Sequence, residues 1–536
     1  METLDHEHAA LETTTRLSHS LLWQLQLNYF DRCGIEAWRS GTVPHHITSS
    51  AFTADAYARV VFGFFRDCCA SQRDAGQPLN IIELGSGSGR FAYLFLKRFL
   101  NLHRKSVLKN RAFRFVMTDF TEQNLEYWRA HKWLRPFVEA GVLDFARFDV
   151  ERDEQLLLIH SREVLASETL RNPLVAIANY LFDSIPQDAF SIKDGQLCEN
   201  LLTLTTPDAE IDPTNPEILS RLQLEFQRNP VAADYYDDPN WNHLLLDYKQ
   251  RFSSVDFLFP TAALKCIRNL NRLATCGLLL LSGDRGYTSD EALLSGEGQP
   301  TIAVHGSFSM MVDYQILGEY CRLLGGQVMH PQHSHDSLNV SAFMLGNSAN
   351  DFIETRLAYD EAIERLGPDD FFTLKSGLED VYHSLALDQL LAFLRLSGWD
   401  YKRFWECLPI FKDRLNQITG NQKQQLHEAI RNVWDSYLPI GEANDLAFEM
   451  GTLLLEMDLF PAALEFLQHS VDLYGEAPGT SYNMAVCYYH LGVTDQALVH
   501  CDRALDQSPD FDEAGILRTQ CVASLPSAAR RSARTA

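Results

Sequence analysis

Between residue 80 and about 346, short apolar runs rich in β-branched residues alternate with longer stretches of helical periodicity. That alternation restricts the chain more than any other feature. Parallel strands need a crossover of a dozen or more residues, normally a helix, so the pattern predicts an α/β sheet covered by helices. Strands are expected at 80–84, 114–118, 143–148, 174–179, 277–282, 326–330 and 337–345. Seven strands make a doubly wound, Rossmann-like sheet, and the last two lie too close for a crossover, so it ends in an antiparallel hairpin. Residues 205–242 are rich in Pro, Asp and Asn and interrupt the alternation before a crossover helix within 244–274. They are expected to form an inserted cover over the site, with Tyr235, Tyr236 and Trp241 suiting a lid.

The flanks differ in character. Residues 1–75 read as a helical cap, with Leu21, Leu22, Leu25 and Tyr29 on one face, an amphipathic run over 54–69, and a loop at 41–50 between them. The sheet domain is expected to span 76–348, a helical linker 349–440, and repeats with a capping helix 441–525. Gly451, Leu454, Ala463 and Ser470 recur 34 residues later as Ala485, Tyr488, Ala497 and Ala504, with Gly492 at a helix turn and Pro509 closing the unit. This resembles the tetratricopeptide repeat. Repeats of that kind bind peptide or protein segments, so the resemblance implies a protein partner, and a homodimerisation arm is the other use of such a surface. Residues 526–536 read as a flexible tail.

Charge narrows the partners. A formal net charge of −25 repels phosphate backbones and anionic membranes, which argues against nucleic acid and membrane partners and favours a basic partner segment. The N-terminus has no basic and apolar leader, and no apolar run reaches the ~18–20 residues that span a bilayer. The 11 cysteines include no C-x-x-C pair, as expected of reduced thiols in a cytoplasmic protein.

The chemistry concentrates at one turn. Ile81-Ile82-Glu83-Leu84-Gly85-Ser86-Gly87-Ser88-Gly89-Arg90 runs from a strand into a glycine-rich turn and then a helix. Glycines there let a ligand approach main-chain N–H groups that a Cβ would obstruct. The spacing is not the G-x-G-x-x-G of dinucleotide folds, and no Lys-Ser/Thr follows as in a P-loop.

An acidic residue in the strand followed by G-x-G-x-G resembles motif I of class I S-adenosylmethionine-dependent methyltransferases. The resemblance assigns Glu83, Gly85, Ser86, Gly87 and Gly89 to the cofactor. It places Asp119, with Phe120, on the ribose hydroxyls, Asp149, with Val150, on the adenine, and Asn179 at the end of the fourth strand. A carboxylate suits a vicinal diol or an exocyclic amine because it only accepts. Asn179-Tyr180-Leu181-Phe182-Asp183-Ser184-Ile185-Pro186, the early Ile47-Thr48-Ser49-Ser50, and the segment from His305 to Tyr314 are similar to the MidA family. That family is related to the mitochondrial complex I assembly methyltransferase, for which protein arginine methylation is reported. The resemblance covers about 45–346 and implies Asn179, Tyr180 and Asp183 on the methyl-transfer face. Asp183 would orient or deprotonate the acceptor, with His305, Asp313 and Tyr314 lining the substrate side. Tyr180 stands where the family has glutamate, and guanidinium binding favours paired carboxylates.

Simpler roles exist for each group: Asp119 and Asp149 as helix caps, Asp183 as a turn residue, the 305–314 segment as core. His330, His333, His335 and Asp336 fall in an expected hairpin turn, where nothing enforces ligand geometry, so no metal is expected. The resulting expectation is an S-adenosylmethionine-dependent methyltransferase acting on a protein side-chain nitrogen. A non-catalytic adaptor and a small-molecule methyltransferase are the competing readings.

Overall fold

The seven expected strands form one sheet in the order Gln327–Met329, Asn339–Leu345, Leu278–Asp284, Leu174–Asn179, Leu79–Leu84, Phe113–Asp119, Leu143–Arg147. This is a computed structural model, and it describes residues 9–70, 76–207, 212–232, 234–295, 302–333, 337–346 and 352–524. The last five strands in that order run parallel, whereas Asn339–Leu345 pairs antiparallel with both of its neighbours. After Leu79–Leu84 the chain builds outward through two strands, then returns to place Leu174–Asn179 on the opposite side. The crevice at the carboxyl ends of these two strands is therefore a topological switch point, where open α/β sheets bind ligands.

Burial explains why these runs were readable. All six residues of Leu79–Leu84 are buried, as a strand covered on both faces requires. The helix Arg90–Arg104 covers it with Phe91, Phe95 and Phe99 at four-residue spacing. Phe95 and Phe99 stack on each other along the helix, and Phe95 meets Phe115 and Phe99 meets Phe113 at centroid distances of 5.1 and 4.7 Å.

A second, antiparallel sheet was not legible in the sequence. Ala9–Thr15, Gln196–Thr206, Asp188–Lys193 and Ser254–Phe259 pair in that order, and Gln223–Pro230 joins Gln196–Thr206 as well. Three expectations change. Residues 1–75 are not wholly helical, because Ala9–Thr15 pairs antiparallel with the distant Gln196–Thr206; the helices Leu21–Cys33, Glu36–Arg39 and Ala51–Ala70 follow it. The 205–242 stretch contributes a sheet strand as well as loops. Within 244–274, the strand Ser254–Phe259 separates the helices Pro239–Arg251 and Thr261–Leu273.

The chain divides into two units, Met1–Gly377 and Leu378–Ala536, whereas the sequence places the cap at 1–75 and ends the sheet domain that follows it at 348. The helix Ile353–Tyr359 belongs to the first unit because Asp67, on Ala51–Ala70, accepts from the Glu354 and Thr355 N–H groups at 3.2 and 2.9 Å.

In the second unit the repeat positions fall on the helix pairs Leu446–Glu456 with Phe460–Tyr474 and Pro478–His490 with Thr494–Gln507, followed by Asp512–Ser524. A Cβ on Gly451 would lie 2.9 Å from Leu467 Cγ, and Ala463, Ala485, Ala497 and Ala504 are fully buried. Small residues at these places let the paired helices approach. The tail 526–536 lies outside the described residues.

Candidate functional site

At the switch point lies a cavity of about 1030 Å³, large enough for a drug-sized ligand with room beyond it. Its inner wall is the glycine turn. Gly85, Gly87 and Gly89 all have positive φ, at 67°, 49° and 77°. At Gly87 the need for glycine is double. A side chain there would be strained, and its Cβ would lie 2.8 Å from Trp38 Cζ2. Trp128 Nε1 donates to the Gly87 carbonyl at 3.0 Å and Ser86 N–H to the Thr118 carbonyl at 2.8 Å, tying the turn to its surroundings. Gly89 does not line the cavity; it caps the helix Arg90–Arg104, and its Cβ would meet Met117 Cε at 2.9 Å.

Three carboxylates surround the turn. Glu83 is 4% exposed, its Oε2 has no hydrogen-bond partner among the described residues, and burial pushes its carboxyl up to about 8. Asp119 is held by its own loop. Oδ1 accepts from the Thr121 N–H and hydroxyl at 3.0 and 3.1 Å, and Oδ2 accepts from Asn124 Nδ2 at 2.9 Å. Burial raises its carboxyl against these bonds, which favour the charged form. Asp149 follows the strand Leu143–Arg147 and is more open. Its Oδ1 accepts from the Glu151 N–H at 3.0 Å, and Arg152 Nε stands 3.7 Å from Oδ2. Phe120, Phe148 and Val150 supply apolar wall on this side.

The opposite wall is built by the ends of Leu174–Asn179 and Leu278–Asp284. Tyr57 donates its hydroxyl proton to Asn179 Oδ1 at 2.7 Å. Tyr180 has φ 48°, a strained value for a bulky residue. Its N–H donates to the Gly283 carbonyl at 2.9 Å. Asp183, on the short 3-10 turn Phe182–Ser184, accepts from the Ser184 hydroxyl at 2.6 Å. Burial, offset by Ser184 and Arg285, brings its carboxyl up to about 6. Behind it Asp284 is fully buried and accepts from the Phe182 N–H at 3.3 Å. Burial, with the Asp183 charge adding to it, pushes Asp284 well above the carboxylate range, so of the two it is Asp284 that keeps its proton.

Of the sequence-assigned residues, Glu83, Gly85, Ser86, Gly87, Asp119, Phe120, Asp149, Val150, Asn179, Tyr180 and Asp183 line the one cavity. Asp313 and Tyr314 do not. Asp313 caps the helix Tyr314–Leu323, accepting from the Gln315 and Ile316 N–H groups, each at 3.1 Å, and from the Tyr248 hydroxyl at 2.8 Å. Tyr314 is wholly buried, 3.0 Å from the Ser282 hydroxyl and stacked on Phe343. His305 ends the short strand Ala303–His305, and its side chain lies outside the described residues. What the 305–314 segment does bring to the cavity is Ser307 and Ser309.

Sequence reasoning missed Trp38, Tyr57, Asp284 and Arg285. The last two had a signal: Gly283-Asp284 ends a buried strand and Arg285 follows it, where polar residues have no packing role. Trp38 had none, because nothing local announces that the N-terminal segment folds over the turn. Among the described residues no group of three or more His, Cys, Asp or Glu could hold a metal, and no helix is long and apolar enough to cross a membrane. Two residues of the hairpin-turn cluster, His335 and Asp336, lie outside the described residues.

No family model and no curated protein matches the chain. Among solved structures it is similar to an uncharacterized superfamily protein from Burkholderia thailandensis, at 12% identity over 62% of this chain and 95% of that one, with a TM-score of 0.37. It is also similar to a superfamily member from the same organism, described as a "likely methyl transferase" and bound to S-adenosyl-homocysteine, at 13% identity over 57% and 79%, TM-score 0.36. A third likeness is to YrrB, a TPR protein with an unusual peptide-binding site, at 19% identity over 31% and 81%, TM-score 0.23.

Proposed function

We propose that this chain is an S-adenosylmethionine-dependent methyltransferase acting on a side-chain nucleophile of a protein partner, which the C-terminal helix pairs recruit. The observation that carries the reading is the convergence of Glu83, Asp119 and Asp149, from three adjacent parallel strands, around a positive-φ glycine turn in one cavity. The residues fit such a cofactor. Among the described residues Glu83 Oε2 is buried without a partner, so a ligand cation or donor would satisfy it, and the Gly85–Gly87 cradle is one that Cβ atoms would fill.

Bound S-adenosylmethionine supplies a methyl group already activated on a sulfonium. The protein's own work is then positioning, exclusion of water and handling of one proton. Asp119 and Asp149 would accept from ribose and adenine, with Phe120, Phe148 and Val150 excluding water beside them. Asn179 and Tyr180 would bound the transfer face, and Asp183, near neutrality in its titration, would take the acceptor's proton. Arginine, the acceptor the resemblance brings with it, is disfavoured because Asp183 has Arg285 beside it rather than a second ionised carboxylate.

Calorimetric titration with S-adenosylmethionine and S-adenosylhomocysteine tests the reading. One-site binding that Gly87→Arg abolishes is expected. Absence of binding at millimolar ligand overturns it in favour of an adaptor whose turn Trp38 covers.

A further inference from the structure

We propose that the methyl acceptor enters the cavity together with an oxyanion, a carboxylate or a phosphate, which Arg285 binds on the transfer face. The proposal rests on the methyltransferase reading and names its substrate class.

Arg285 follows the strand Leu278–Asp284 and lines the cavity beside Asp183. A guanidinium offers five N–H donors in a planar fork. Here Nη2 donates to Ser309 Oγ at 2.7 Å, and among the described residues Arg285 makes no other side-chain hydrogen bond and no ion pair. Half-buried cations are costly to leave unpaired, and Asp183 does not serve as the partner, because the two groups feel each other's charge without forming an ion pair.

The arginine is also held for use. Its carbonyl accepts from the Val312 N–H at 3.0 Å. Its partner Ser309 sits on the strand Ser307–Ser309, whose middle residue is pinned by Gln26. Gln26 Nε2 donates to the Phe308 carbonyl at 2.8 Å, and Phe308 N–H donates back to Gln26 Oε1 at 3.0 Å. A fixed fork with unused donors, lining a cavity of about 1030 Å³, is suited to bidentate capture of a carboxylate or phosphate. A cationic acceptor would meet it unfavourably.

The test is 19F NMR of full-length protein saturated with S-adenosylhomocysteine, using trifluoroacetate as the anionic probe and 3,3,3-trifluoropropylammonium as the cationic one. Saturable line broadening of trifluoroacetate is expected, weakened at least tenfold in Arg285→Gln and partly restored in Arg285→Lys, with melting temperatures showing that both variants fold. Competition by acetate or by inorganic phosphate identifies which oxyanion the site prefers. The proposal is overturned if trifluoroacetate does not bind, if Arg285→Gln binds it as wild type does, or if the ammonium binds in its place. It is also overturned if cofactor-free protein binds trifluoroacetate and S-adenosylhomocysteine displaces it, because Arg285 then serves the cofactor's own carboxylate. Failure of S-adenosylhomocysteine to bind at all is read separately, in the titration that loads the protein, and takes the methyltransferase reading down with it.

Discussion

Tyr57 and Asn179, 122 residues apart, meet through a 2.7 Å hydrogen bond that fixes which end of the Asn179 amide faces the cavity wall. They can meet because residue 283 is glycine. A Cβ there would lie 2.3 Å from the Tyr57 hydroxyl and 2.9 Å from Asn179 Oδ1. Tyr57→Phe removes the donor and leaves a buried acceptor unsatisfied, which costs about 1–3 kcal/mol. Urea unfolding of the variant should show that loss with the slope of the transition unchanged. An unchanged midpoint would show that the bond contributes nothing to the fold.

Glu83 gives the ligand-free protein a distinctive pH dependence. Its folded carboxyl titrates near 8 rather than at its ordinary 4.5. Between those values the folded state holds a proton that the unfolded state has released, so this group makes stability fall as pH rises. Its contribution is fully present below the unfolded value and lost by about pH 9. Glu83→Gln abolishes that loss, and its advantage at about pH 9 has an upper bound of roughly 5 kcal/mol. The same variant should bind S-adenosylhomocysteine at least tenfold more weakly. Thermal melts across the pH range and one calorimetric titration check both; a variant less stable than wild type at high pH would contradict the assignment.

What the sequence revealed and what it hid follow one physical rule. Strands of the central sheet are buried on both faces and so read as continuous apolar runs; Leu174–Asn179 and Leu278–Asp284 are examples. Two strands of the second sheet, Ala9–Thr15 and Gln223–Pro230, are much more exposed. Gln223–Pro230 alternates polar and apolar residues over its first half with none of them fully buried, and Ala9–Thr15 has too few large apolar residues to announce a strand until Gln196–Thr206 supplies its partner. Ser254–Phe259 lies between two helices whose periodicity masks it in the sequence. The same contrast holds at the site. Glycines and carboxylates after the first three strands carry a local pattern, whereas Trp38 and Tyr57 reach the site only through tertiary folding. Asp313 is ambiguous in the sequence because a helix cap, which it is, and a substrate ligand look alike in one dimension.

Trp38 and Gly87 should behave as a coupled pair. Gly87→Ala adds a Cβ that meets the indole at 2.8 Å and forces alanine into φ 49°. The backbone part costs about 1–2 kcal/mol, and the clash adds to it. Trp38→Ala removes only the clash. In a double-mutant cycle the two substitutions should therefore be less than additive, with the backbone part surviving in the double variant. Full additivity would mean that the indole moves aside freely and does not rest on the turn.

Asp183 and Asp284 divide their roles by where the proton sits. Asp284 is buried behind Asp183 and titrates well above the usual range, while Asp183 titrates near 6 under the opposing influence of burial and Arg285. A general base must be ionised, so transfer of labelled methyl groups from S-adenosylmethionine to lysate protein should rise through about pH 6 and then level. Asp183→Asn should abolish that limb and lower the plateau by roughly 10²–10⁴-fold, the range for loss of a positioned base. Asp284→Asn replaces a protonated acid with a neutral amide of similar shape, so the limb should stay near pH 6. A limb that disappears in Asp284→Asn and persists in Asp183→Asn would reverse the assignment and make Asp284 the group whose ionisation the reaction needs.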